Sequence, residues 1–467
     1  MTPKPQTLFD KLWALHVVKR DADGVDIVAI DRIVLHERTG GVALKALAES
    51  GYPVADPRRV FAIMDHVVSF RPGRGRDEAR FEGGEVFITE TRKMAAAVGV
   101  SVIDTDDVRQ GIVHVVAPEQ AIVLPGVSLV CPDSHTCSLG ALGALAWGVG
   151  SSDAEHAMAT GALRMRKPAQ MRVRVDGKLR PGVTAKDLAL HLIATHGAGG
   201  GRRCAIEFTG EAIAAMSLEA RLTLCNLAVE FAAFTAVIAP DAAVYDYLHG
   251  RPRAPSGAEW DAARAHWEML FTDVDASFEH EISVDARDVE SSISWGTSPE
   301  ESGPVGGSVP HDAAARSLAY MGLSVEQPLI GLPIDGAFIG SCTNGRLSDL
   351  RAAAEVLKGR RVARSVRAVC VPGSQQVKAA AEGEGIDQIF RDAGFEWGEP
   401  GCAMCFYAGG TTFPPGARVV SSTNRNFEGR QGPGVRTHLA SPATVAASAV
   451  QGSICAVEHL VGAEVAA

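Results

Sequence analysis

Cys342 and the pair in Cys402-Ala403-Met404-Cys405 constrain this chain more than any other residues. Three thiolates with no local fourth suit one group that draws sulfur from two separate stretches. They suit a [4Fe–4S] cluster with one iron left free, since protein-bound clusters usually have four cysteine ligands. An iron without a protein ligand can bind water or a substrate oxygen and act as a Lewis acid. Spacing alone leaves other readings open, because Cys-x-x-Cys also serves as a redox pair or as half of a zinc site.

Composition sets the bounds. A chain of 467 residues is too long for one small core and should divide into two or three lobes. A net charge of −10 and a pI of about 5.8 exclude a general nucleic-acid footprint. An acidic substrate would need a local cationic pocket. The start of the chain, Met1-Thr2-Pro3-Lys4-Pro5-Gln6, is not an apolar leader. The most apolar stretch, near Leu224 to Pro240, is interrupted by Asn226 and Glu230, so it reads as core or pocket wall. Nine cysteines, an odd number, argue for reduced thiols in a cytoplasmic setting. Cys131, Cys137, Cys204, Cys225, Cys370 and Cys455 are expected to be buried small hydrophobes.

The pattern of elements is α/β. Gly336–Gly340, Val366–Val371 and Ala417–Ser421 read as short buried strands, and Leu347, Leu350, Ala354 and Leu357 have helical spacing. A helix is expected over Gln375–Ala381. Val127–Val130 reads as a strand, and Gly140–Gly150 as a small-residue helix. Chemical motifs fall just past strand ends, where open α/β sheets usually place ligands. Pro/Gly/Ser-rich stretches near His249–Gly257 and Trp295–Pro310 punctuate the chain, the second being the better boundary. The expected lobes are 1–167, 168–315 and 316–467.

Three ordered motifs carry a family resemblance: Gly340-Ser341-Cys342-Thr343-Asn344, Gly401-Cys402-Ala403-Met404-Cys405 and Asn424-Arg425-Asn426-Phe427-Glu428-Gly429-Arg430. The chain resembles the aconitase superfamily, and within it the large-subunit branch of the isopropylmalate dehydratases. The resemblance implies a three-lobed iron–sulfur domain around a central cluster cleft, without the swivelling fourth domain. It implies one [4Fe–4S] cluster on Cys342, Cys402 and Cys405, with Asn344 and Asn424 beside its sulfurs. It also implies a hydro-lyase that moves a hydroxyl on a substituted malate, as in leucine biosynthesis. The base would come from a small subunit carrying the swivelling domain.

Dehydrating such an acid needs a base, an acid, a Lewis acid and cations for the carboxylates. A carboxylate beside an imidazole raises its pKa and holds the ring, which suits Asp65-His66 to general-acid work. The resemblance assigns hydroxyl protonation to His66. His114 could be a satisfied histidine in an apolar strand; the resemblance places it in the solvent pocket. Asp133-Ser134-His135-Thr136 matches the superfamily, with Asp133 and His135 expected at the cluster's water and Ser134 at the substrate. A hydrolase triad is the rival reading, but no nucleophile elbow is present. Asn226 and Glu230 match Asn-x-x-x-Glu, with Glu230 expected near the reacting hydroxyl. Arg425 and Arg430 offer guanidinium forks for carboxylates.

Three positions depart from the family pattern. Val42 replaces the glutamine of Thr-Ser-Pro-Gln, Pro132 replaces a glycine, and Ala403 replaces a serine. Val42 is expected to turn a polar corner apolar. These departures leave room for a sister hydratase acting on methylmalate, dimethylmalate or homoaconitate. An RNA-binding role, found elsewhere in the superfamily, is disfavoured by the acidic charge, and a zinc-binding structural protein remains the third reading.

Overall fold

The computed structural model describes residues 4–460. Three parallel sheets organise it. The first contains, in chain order, Arg32–His36, Val60–Ile63, Ser101–Ile103, Ser128–Cys131 and Leu145–Gly148. Their spatial order is 3-2-1-4-5, and every neighbouring pair is parallel. The third sheet repeats that order with Gly336–Ile339, Arg367–Cys370, Phe395–Trp397, Arg418–Ser421 and Arg436–Leu439. Between them lies a four-stranded parallel sheet of Gln170–Asp176, Ala205–Thr209, Thr235–Val237 and His280–Asp285.

Val60–Ile63, Ser128–Cys131 and Gly336–Ile339 are buried at every residue. Parallel strands are covered on both faces, so they read as continuous apolar runs. Helices seal the layers. Leu8–His16 starts with a capping box, Thr7 and Asp10 each satisfying the other's backbone N–H, and buries Leu8, Phe9, Leu12 and Trp13. One continuous core runs from Leu8 to Val289 and serves the first two sheets together. A second core covers the third sheet and also takes in Ile112 and Val115. No helix among the described residues is long and apolar enough to cross a membrane.

Two expectations fail. Gly140–Gly150 is not a helix: a 3-10 run, Ser134–Leu142, is followed by the strand Leu145–Gly148. The glycines serve contact with a strand instead, since a Cβ at Gly140 would lie 1.8 Å from the carbonyl oxygen of Ala236. His114 lies on the helix Val113–Glu119, not on a strand.

Candidate active site

The two 3-2-1-4-5 sheets turn their carboxyl ends toward one cleft. In such sheets the strand order reverses beside the first strand, and ligands collect there. On the first sheet, His36 ends strand one, Asp65-His66 follows strand two, and Asp133-Ser134-His135 follows strand four. On the third, Cys342 follows strand one and Asn424-Arg425 follows strand four. Cys402 and Cys405 come from the loop after strand three.

Asp65 and His66 are buried. His66 Nδ1 lies 2.6 Å from Asp65 Oδ1, and its Nε2 lies 3.1 Å from Asp133 Oδ2. The other Asp65 oxygen accepts the Val113 N–H at 3.0 Å. Burial works against a charged imidazole, but the two carboxylates hold His66 well above its usual pKa. Asp133 Oδ1 also accepts the His135 N–H at 2.7 Å. From there the network crosses to the segment that carries the second sheet: His135 Nε2 meets Glu230 Oε1 at 2.9 Å. Arg425 Nε donates to the same oxygen at 2.6 Å, and Arg425 Nη2 donates to Ser134 Oγ at 2.9 Å. Burial would raise Glu230, yet His135 and Arg425 hold it below the usual range. His114 stands one step away, bonded to Thr136 Oγ1 at 3.2 Å; burial lowers it to about 4, so it is neutral.

The three cysteines are buried, each 5–6% exposed. Asn226 Nδ2 donates to Cys342 Sγ at 3.2 Å, and Asn424 Nδ2 reaches the same sulfur at 3.5 Å. Ser341 Oγ lies 3.2 Å from Cys405 Sγ and 3.9 Å from Cys342 Sγ, so both sulfurs share neighbours. Cys402 Sγ lies 3.7 Å from His66 Nδ1, and its backbone N–H donates to the Asp65 carbonyl at 2.8 Å. Gly401 permits this approach, as a Cβ there would sit 3.1 Å from that oxygen. Ser341 (φ 80°) and Ala403 (φ 45°) take left-handed backbone beside the thiols. Such strain in non-glycine residues collects at functional sites.

This donor set fits a cluster better than one ion. Tetrahedral zinc with Zn–S of about 2.3 Å holds its sulfurs about 3.8 Å apart. The three sulfurs are spread wider; only His36, Asp65 and His66 bring three ligand atoms within 4.8 Å of one another among the described residues. That trio is no metal site, because both nitrogens of His66 are occupied by carboxylates. Burial pushes the Cys342 and Cys402 thiols up, and Arg430 beside Cys405 pulls that thiol down against burial.

Residues 10–452 match the family described as Aconitase family (aconitate hydratase). The chain belongs to the aconitase family. It is 49% identical, over 97% of each chain, to the 3-isopropylmalate dehydratase large subunit 1 of Bradyrhizobium diazoefficiens. Among solved structures it is similar to the holo-form of Thermococcus kodakaraensis aconitase X, at 14% identity over 86% of this chain and 84% of that one, with a TM-score of 0.45.

Within this aconitase-family cleft, one expected neighbour is displaced. Asn344 does not reach a sulfur: its Nδ2 donates to Asp349 Oδ1 at 2.9 Å and its Oδ1 accepts from Lys186 at 3.2 Å. Asn226 takes that place on Cys342. Val42 is 54% exposed, not buried, so Val42→Gln would leave no buried polar group unpaired in this chain. The Pro132 carbonyl lies 3.0 Å from His36 Nε2, and the Ala403 carbonyl accepts from Arg80.

Sequence reasoning missed four residues. His36 stacks on His66, with centroids 3.8 Å apart and planes 16° from parallel. Burial lowers His36 to about 4, which spares His66 a charged neighbour. Glu37 cradles the next loop through the N–H groups of Asp65 and Val67. Both sit at a strand end, the same signal that marks Cys342. Arg80 clamps the cysteine loop through the carbonyls of Ala403 and Phe406.

Lys186 is the fourth. It is fully buried, donates to Asn344 Oδ1 and to the carbonyls of Ser422 and Thr423, and burial lowers it to about 7. It thus ties the Cys342 loop to the Asn424 loop. Lys186→Met is expected to leave these acceptors unpaired and to cost about 1–3 kcal/mol. Thermal unfolding of the cluster-free protein checks this; an unchanged midpoint refutes it.

Proposed function

We propose that this protein is the large subunit of a hydro-lyase that isomerises a 2-alkylmalate, 2-isopropylmalate first among them, by dehydration and rehydration. The observation that carries this reading is the convergence of the buried Cys342, Cys402 and Cys405 with a doubly held His66. The 49% identity to a 3-isopropylmalate dehydratase large subunit supports it. The lobes 1–167, 168–315 and 316–467 are part of the reading, and each parallel sheet falls within one of them. A cytoplasmic setting accords with nine free cysteines.

A [4Fe–4S] cluster on the three cysteines would supply a Lewis acid at its unligated iron. Asn226 and Asn424 donate to Cys342 Sγ, and Asn424 also packs on Cys405. His66 serves as general acid: its Nε2 proton, resting on Asp133, passes to the departing hydroxyl while Asp65 steadies the ring. Asp133, His135 and Glu230 line the leaving oxygen's position, with His114 behind them. Arg425 and Arg430 bind carboxylate, and Ser134 and Glu230 fix the Arg425 fork. The base is not among these groups. Asp65 and Asp133 hold His66 well above its usual pKa, Asp133 and Glu230 raise His135 against burial, and Glu230 accepts from His135 and Arg425. That leaves proton abstraction to a small subunit.

The isolated, cluster-loaded chain is therefore expected to be inactive, and a small subunit to restore turnover with alkylmalates preferred over citrate. A substrate panel on the chain alone and on the pair checks this. Full activity of the single chain, or a preference of the pair for citrate, refutes it. Arg38-Thr39-Gly40-Gly41-Val42 favours a second reading, a sister hydratase for methylmalate, dimethylmalate or homoaconitate, which the same panel resolves.

A further inference from the structure

Three guanidinium groups surround one ring at the mouth of the cleft. The Cζ atoms of Arg80, Arg38 and Arg430 lie 4.1, 4.9 and 5.6 Å from the Phe406 centroid. The same ring lies 5.7 Å from His66. Cation–π attraction accounts for one such contact, but three like charges on one ring repel each other.

Two of the three are committed. Arg80 donates to the carbonyls of Ala403 and Phe406. Arg430 Nη2 reaches Cys405 Sγ at 3.6 Å. Even so, Nε of Arg80 and Nε of Arg430 are buried with no acceptor. Arg38 is exposed and makes no ion pair among the described residues, where its partner is the Phe406 ring. It also sits in the first turn of the helix Glu37–Glu49, where a cation opposes the helix dipole. Neither helix stability nor a salt bridge explains it. An anion between Arg38 and Arg430 would answer the repulsion between those two charges.

We propose that Arg38 is a substrate-binding residue, which with Arg430 grips one carboxylate of the dianion across the face of Phe406. It would supply a cation one helical turn before Val42, which offers no polar group. This rests on the substituted-malate reading of the cleft and adds the residue that decides which dianion is held.

The test uses the cluster-loaded chain reconstituted with its small subunit. The probe is isopropylsuccinate, a dianion that lacks the hydroxyl and cannot be dehydrated. Calorimetric titration is expected to show roughly 10- to 100-fold weaker binding for Arg38→Gln, as for the loss of a charge-assisted hydrogen bond. Arg38→Lys should fall between Gln and the parent, since it keeps charge but loses the fork. KM for the alkylmalate should rise alongside, with kcat little changed. Subunit assembly by sedimentation and the cluster absorbance should match the parent. Unchanged binding in both variants, or a loss of assembly or of cluster that accounts for the effect, overturns the assignment. A parent pair that turns over no alkylmalate yet binds isopropylsuccinate through Arg38 would sink the dehydratase reading and support Arg38.

Discussion

Replacing Cys342, Cys402 or Cys405 singly by serine is expected to remove iron and activity together. A buried hydroxyl ionises far less readily than a thiol, and each sulfur occupies a site only 5–6% exposed. Iron analysis and the absorption near about 400 nm, where iron–sulfur charge transfer lies, would report the loss. Cys455→Ser serves as the comparison: it is also buried, but among the described residues its sulfur hydrogen-bonds only to the carbonyl of Ala456, so iron should remain. Iron near the parent level in all three cluster variants would sink the ligand assignment. Loss in Cys455→Ser as well would point to general instability instead.

His66→Ala should lower kcat by about 100- to 10,000-fold, the usual cost of a positioned general acid. Cluster absorbance must be followed in parallel, because His66 Nδ1 lies 3.7 Å from Cys402 Sγ. A loss of only a few-fold with the cluster intact would make His66 structural. The pH profile adds an independent readout. Burial disfavours the imidazolium, but Asp65 and Asp133 raise the His66 pKa, so the acid form is present at neutral pH and is lost as pH rises through that value. Turnover should fall on the alkaline side. Asp65→Asn should move that limb to lower pH, and an unmoved limb would assign it to another group.

Much of this architecture was legible because parallel strands are continuous apolar runs. Gly336–Ile339, Arg367–Cys370 and Arg418–Ser421 fall within the ranges expected from hydrophobicity alone. The Gly140–Gly150 stretch misled because small residues say only that something packs closely, not what. There the neighbour was the strand Thr235–Val237 rather than a helix. Lys186 was illegible for another reason. Inside Thr184-Ala185-Lys186-Asp187 it follows an ordinary capping box and looks like a solvated surface residue. Only the packing of Asn344 and the Ser422–Thr423 loop against it turns it into a buried donor. His36 and Glu37 were within reach, since they end a strand as Cys342 does, but nothing local marks stacking on His66. Asn344 was misplaced because a motif gives neighbours in sequence and not the direction of a side chain.

The repeated 3-2-1-4-5 order means that two independent rims face each other, and each has its own task. The thiol loops hang from the rim of the third sheet, pinned by Lys186 and Arg80. His66 and the helix that carries Arg38 and Val42 hang from the rim of the first. Of the three departures from the family pattern, Val42 and Pro132 lie on the first rim, and only Ala403 lies on the second. A chain divided in this way can be retuned for a new guest on one bank of the cleft while the opposite bank keeps its three thiols in place.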